Sequence, residues 1–263
     1  MTQATTATAA TGVPSRVSAD RPGGRLSRTW AIGRREFASY FRSAIAYVAI
    51  TLFLLISGWM FRSDFVPGEP AGMRTIFNFM VLLLVFIVPV LSMGLLAQEW
   101  SAGTIETLMT APVNEPEVVL GKFFGNLALL AVMLAPTLFY VVLLRIYARP
   151  DYGPIFSGYL GILLAGALFI SVGLFCSSLT RSQIIAALSA VTILFLGTIV
   201  PYYAGRDPTL RPFLRTVIDQ LVYRRYSDFS KGVLDLGNII FFLCTTAVFL
   251  FVTIKVLESR RWK

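Results

Sequence analysis

The sequence predicts an all-α membrane protein, a bundle of six transmembrane helices, and three observations carry that prediction. Six apolar runs each approach the roughly 20 residues that a helix needs to cross the hydrocarbon layer. Only 14% of the chain is charged while 56% is hydrophobic, whereas an ordinary soluble domain carries about 25% charged residues. Mean hydropathy is +0.72, and in hydrocarbon such runs must pair every backbone group internally, which a helix does.

Residues 1–27 are rich in Ala, Thr, Gly, Pro and Arg with almost no large apolar side chain, the composition of a disordered tail. The tail lacks the apolar core of a cleaved signal peptide. From Trp30 to Arg42 the pattern becomes helical. Trp30, Phe37, Tyr40, Phe41 and Ala44 fall on one side, and Arg28, Arg35, Glu36 and Arg42 fall on the other. That arrangement predicts an N-terminal interfacial amphipathic helix lying in the membrane surface.

The first span is expected at residues 44–61 and the second at 75–97, with Pro89 kinking the second because its ring removes a donor and crowds the preceding turn. A third span at 122–144 has an earlier start signal, since Asn114 and Glu117 have capping spacing and Pro116 suits a first helical turn. The fourth span, 157–179, follows a loop broken by Pro150, Gly153 and Pro154. Thr180 and Gln183 have capping-box spacing, which predicts a tight turn into a fifth span at 184–203. A long polar connection then leads to the sixth span, 237–257.

Six crossings place both termini on one side, and basic residues say which. Arg16, Arg21, Arg25, Arg28, Arg34, Arg35 and Arg42 precede the first span, and Lys255, Arg260, Arg261 and Lys263 close the chain. The positive-inside rule puts both ends in the cytoplasm. The internal loops fit less well: Arg206, Arg211, Arg215, Arg224, Arg225 and Lys231 would lie outside, and the connection from span two to span three has four glutamates with only Lys122 nearby. The net charge of +9 sits mostly outside the apolar runs, so anionic lipid headgroups explain it without a nucleic-acid partner.

Composition also excludes chemistry. There is no histidine, which removes Ser–His and Cys–His nucleophiles and His-ligated zinc. Cys176 and Cys244 lie in apolar runs and read as small hydrophobes, with no metal or disulfide role. The spans contain essentially no ionisable side chain of the kind that ion-coupled pumps require. Their polar residues Asn78, Ser92, Ser171, Ser177, Ser178 and Thr192 suit interhelical hydrogen bonding. Gly161 and Ala165 have small-xxx-small spacing that suits packing within the subunit, and Trp59, Tyr159, Tyr202 and Tyr203 near span ends read as interface anchors. No GxxxxGK[ST] phosphate loop is present, so active transport would need a motor on another polypeptide.

The connection between spans two and three reads Glu99-Trp100-Ser101-Ala102-Gly103-Thr104-Ile105-Glu106-Thr107-Leu108-Met109-Thr110-Ala111-Pro112, followed by Gly121-Lys122-Phe123. Ile105, Leu108 and Met109 share one helical face, so a short helix with a small apolar surface fits between Gly103 and Pro112; a solvated loop with an incidental turn fits the spacing equally well. In Glu99, Gly103, Thr104, Ile105, Glu106, Leu108, Pro112, Gly121 and Lys122 the chain resembles permease subunits of type-2 ATP-binding-cassette exporters. The segment Phe229-Ser230-Lys231-Gly232-Val233-Leu234-Asp235 is similar to the gliding-motility and nitrous-oxide-reductase-maturation branch. Trp100 stands where many relatives carry a basic residue.

The resemblance implies that residues 28–263 form one permease domain in a bacterial inner membrane, with the tail in the cytoplasm. It implies a short cytoplasmic coupling helix formed by Glu99, Gly103, Thr104, Ile105, Glu106, Leu108 and Pro112. With Trp30, Arg34, Arg35, Phe37 and Phe41 of the pre-helix, it would meet a separate ATPase subunit that binds ATP and magnesium. This chain would carry no cofactor or metal and would pair with a second permease subunit, a copy or a relative. A passive channel or membrane scaffold is the alternative. A membrane enzyme ranks third, because Glu99, Glu106 and Asp235 lie at span ends without a metal-ligand arrangement.

Overall fold

The computed structural model describes residues 25–64, 72–103, 114–147, 150–204 and 222–261, and these residues form helices joined by short turns with no strand among them. In chain order the helices are α1 (Arg25–Tyr40), α2 (Ala44–Asp64), α3 (Arg74–Ser92), α4 (Gly94–Ser101), α5 (Glu115–Leu134), α6 (Leu138–Tyr147), α7 (Tyr152–Leu179), α8 (Gln183–Leu194), α9 (Val200–Ala204), α10 (Val222–Ser230) and α11 (Leu236–Arg261). The chain is therefore an all-α membrane protein. Five helical stretches are long and apolar enough to cross a bilayer: Ala44–Asp64, Arg74–Ser101, Glu115–Tyr147, Tyr152–Leu179 and Leu236–Ser259. The apolar helix Gln183–Ile199 is shorter; it ends in a π-turn at Phe195–Ile199 that joins α8 to α9. The inter-span link at 65–71, most of the connection before α10, and most of the tail lie outside the described residues.

α7 is the central element, and its composition shows why. A Cβ on Gly158 would overlap the Phe77 ring, one on Gly161 would sit 2.7 Å from Phe229 Cβ, and ones on Gly166 and Gly173 would overlap Leu130 and Ser92. The glycines thus admit side chains from α3, α10 and α5 onto one helix, the close approach that small residues provide in a membrane. The small-xxx-small face packs inside the subunit, as expected. Around it lies a core of Phe53, Phe77, Met80, Leu84, Leu96, Leu129, Leu130, Met133, Phe169, Tyr226, Phe229 and Phe242, all fully buried.

Local signals set several helix ends. Asp151 caps α7 by accepting from Gly153 N at 3.1 Å, so this helix starts ahead of the expected Ser157. The turn into α8 is as tight as expected, but the N-cap position is Ser182 rather than Thr180; the Thr180 hydroxyl instead accepts from Ser182 N at 3.1 Å. The third span bends at a 3-10 turn, Ala135–Thr137, around Pro136. There the Thr137 hydroxyl meets Tyr159 Oη at 3.0 Å, and Tyr159 packs edge-on against Phe77. Tyr159 is therefore a core hydrogen-bonding partner and not the expected interface anchor; Trp59 and Tyr203 are exposed.

Candidate functional site

The site is the place where α4 leaves the second span and α5 enters the third. α4 stops where Gly103 turns to φ +68, just after the in-helix bond from Ala102 N to Gln98 O. That left-handed conformation favours glycine and is a common helix stop, and among the described residues nothing lies within 4 Å of where a Cβ on Gly103 would sit. Thr104, Ile105, Glu106, Leu108 and Pro112 of the expected coupling helix lie outside the described residues. The chain resumes at Asn114, whose N–H donates to Glu117 Oε2 at 3.2 Å in the expected capping box, with Pro116 in the first turn of α5. Glu115 and Glu117 also place negative charge at the N-terminus of the helix, where it is stabilised.

One and a half turns further along α5, Lys122 reaches back across both neighbouring elements. Its ammonium lies 2.8 Å from Glu99 Oε1 on α4 and 3.4 Å from Glu36 Oε2 on α1. The Lys122 side chain is 5% exposed, whereas Glu99 and Glu36 keep 27% and 24%. A cation this enclosed needs partners to offset its lost hydration, and the two carboxylates supply them. A second pair, Arg28 Nη1 to Glu117 Oε2 at 3.9 Å, extends the network along α1. Three segments distant in sequence, including both ends of the 104–113 connection, are thus tied by charge.

α1 can reach these partners because small residues let it lie directly on α5. A Cβ on Gly121 would sit 2.7 Å from Ile32 Cβ, and one on Gly125 would sit 2.9 Å from both Gly33 O and Glu36 Cβ. The docked face of α1 therefore runs through Ile32, Gly33 and Glu36, with Phe37 and Tyr40 partly buried. Glu36, expected on the polar side, is turned onto Lys122 and so joins the docked face; Trp30, expected on the side lying in the membrane interface, is 72% exposed. Arg34 and Arg35 are exposed. Phe41 follows the end of α1, stays exposed, and stacks edge-on with Phe37 and Tyr47 at 5.0 and 6.3 Å.

Glu99 and Gly103 were legible as motif members, and Lys122 as the end of a Gly-Lys pair and the only lysine near the four glutamates of the connection. Arg28, Glu36 and Glu117 were not singled out as members of one cluster. A signal was present: four glutamates beside a single lysine contradict the charge bias of a cytoplasmic connection. Two of the four, Glu99 and Glu117, are turned inward onto cations rather than left facing solvent.

A model of the ABC-2 family transporter proteins matches residues 43–209, more than half of the chain. No curated protein matches it. The match covers α2 through α9 and includes the Glu99–Lys122 pair and the connection it spans, while α1, α10 and α11 lie outside it. The apolar helices and the family match agree on a multi-pass membrane transport component, and the chain belongs to the ABC-2 family of transporter proteins as a membrane permease subunit of an ATP-binding-cassette transporter.

Proposed function

We propose that this permease is driven by a separate cytoplasmic ATPase subunit that engages the 104–113 connection and the outer face of α1. The observation that carries the reading is the Lys122–Glu99–Glu36 cluster, which clamps both ends of that connection to the pre-helix. A push on the connection moves α4, α5 and α1 together and is not dissipated at a flexible joint. Exposed Arg34, Arg35 and Trp30 on α1 offer a basic, aromatic surface beside it. By the resemblance, Ile105, Glu106 and Leu108 of that connection would be the residues that meet the ATPase.

In this reading six spans cross the membrane with both termini and the 1–27 tail in the cytoplasm, and a second permease subunit completes the transport path. ATP and magnesium bind the partner ATPase, whose closure rocks the two permeases between inward-open and outward-open forms. The membrane is a bacterial inner membrane.

The test is ATPase activity of the co-purified complex in nanodiscs. Gly103→Pro fixes φ near −65° where the chain needs +68°, and Glu106→Arg reverses a charge on the connection. Each is expected to abolish the permease-stimulated ATPase activity while leaving insertion and yield intact. Full stimulation in both variants would defeat the proposal.

A further inference from the structure

The second span continues through Met93, which keeps helical dihedrals (φ −57°, ψ −36°) and donates to Pro89 O, but its hydrogen-bond ladder is interrupted just beyond, with Met93 outside both α3 and α4. Pro89 and Ser92 prepare the break: Pro89 has no N–H to give, and the Ser92 hydroxyl donates to Val88 O at 2.9 Å, a back-bond that bends helices. A helix interrupted inside a packed bundle leaves backbone donors and acceptors without in-helix partners. Hydroxyls from two other elements meet them. Ser177 on α7 accepts from Leu96 N at 3.0 Å and Ala97 N at 2.9 Å, and donates to Met93 O at 2.8 Å. Tyr40 at the end of α1 donates to Leu91 O at 3.1 Å. The approach is enforced one turn earlier on α7, where Gly173 leaves no room for a Cβ beside Ser92.

We infer that Met93 is the hinge of the second span, and that Ser177 and Tyr40 are positioning residues that hold its two segments on either side of Met93. Ser177 holds α4 through Leu96 N and Ala97 N, and Tyr40 holds the end of α3 through Leu91 O, so each segment is restrained by a different neighbour. α4 carries Glu99 and ends at Gly103, so the hinge decides how displacement of the connection enters the membrane. The pre-helix thereby acts on both segments: on the far end of α4 through Glu36 and Lys122, and on the end of α3 through Tyr40. This rests on the coupling reading, and it adds that the second span bends at one named residue instead of moving as a rod.

The experiment places spin labels at Phe86 and Ser101, both exposed, after replacing Cys176 and Cys244 with alanine. Fifteen residues of helix separate labels by about 22 Å, a measurable span that changes with the hinge angle. The permease in nanodiscs is expected to give one main distance. Ser177→Ala and Tyr40→Phe should each raise a second, displaced population about five-fold relative to the first, the equivalent of one hydrogen bond of about 1 kcal/mol. Ser177→Thr, which restores the hydroxyl, should return the distribution to that of the parent. Tyr40→Phe keeps the ring, so the inference stays testable if Ser177→Ala fails to insert. Unchanged distributions in both variants would overturn it. Trapping the complex with its ATPase in vanadate should move the parent toward the same second distance; a trapped complex that stays at the first distance would also overturn the hinge. Stimulated ATPase activity on the same sample reports separately whether the coupling reading survives.

Discussion

Replacing Lys122 with methionine keeps the side chain's length and removes its charge, leaving Glu36 and Glu99 facing one another. At an effective dielectric constant of about 20, unit charges at the observed 2.8 Å attract by about 6 kcal/mol gross, and desolvation of the ammonium offsets most of that. Removing one member of a fully buried pair costs about 3–5 kcal/mol because the other is left uncompensated. Here the carboxylates retain 27% and 24% exposure, so water screens part of the loss and about 2 kcal/mol is expected. At about 2–4 °C per kcal/mol for a chain of this size, Tm in nanodiscs should fall by about 4–8 °C. Lys122→Met combined with Glu99→Gln should recover part of the fall, because the stranded carboxylate is gone. A Tm within about 1 °C of the parent, or a double variant in which the two losses simply add, would refute the clamp.

Arg28→Ala, which removes the looser 3.9 Å pair with a cation side chain 34% exposed, should lower stability by less than about 1 kcal/mol in the same Tm assay. Gly173→Ala should destabilise by about 1–3 kcal/mol, since its Cβ overlaps Ser92, whereas Gly197→Ala, with open space around it, should be neutral or stabilising; equal effects would mean that the α3–α7 contact is not close-packed. Burial, with the Glu36 carboxylate second, holds the Tyr40 hydroxyl well above the ordinary tyrosine range. Because the unfolded tyrosine ionises near pH 10 and the folded one does not, stability should be full below about pH 10 and decline above it. Tyr40→Phe should lessen that alkaline loss in a pH series of Tm values.

Much of the fold was legible because hydropathy acts locally. Helix α2 begins at the expected Ala44, α7 ends at the expected Leu179, and the Asn114–Glu117 pair opens α5. A bilayer makes that possible: an apolar run of about 20 residues has few conformations other than a helix. Gly103 was read as the boundary before the coupling helix; that it also ends α4, with φ +68°, is what the structure adds.

The partners of the site were not readable, because they depend on contacts between distant positions. Glu36 and Lys122 are 86 positions apart, and on a helical wheel Glu36 belongs with the arginines. Only the close seat of α1 on Gly121 and Gly125 turns it inward. Tyr159 looked like a headgroup anchor by its position near a span end, but its α7 starts at Tyr152, which draws it into the core beside Thr137. Pro89 announced a kink in the second span. Interhelical bonding was expected of the serines in the spans, and Ser177, 84 positions from Met93, does it; Ser171 and Ser178 instead bond their own helix, and which serine reaches across depends on packing that spacing does not reveal.

Coupling requires that the 104–113 connection face the cytoplasm and touch the ATPase subunit there. With Cys176 and Cys244 replaced, a cysteine at Glu106 can be challenged in intact cells with a membrane-impermeant maleimide and, after permeabilisation, with a short thiol-reactive photo-crosslinker. The account predicts no labelling until the membrane is opened, and then a crosslink to a nucleotide-binding subunit that weakens in Gly103→Pro. Labelling from outside the intact cell would contradict it.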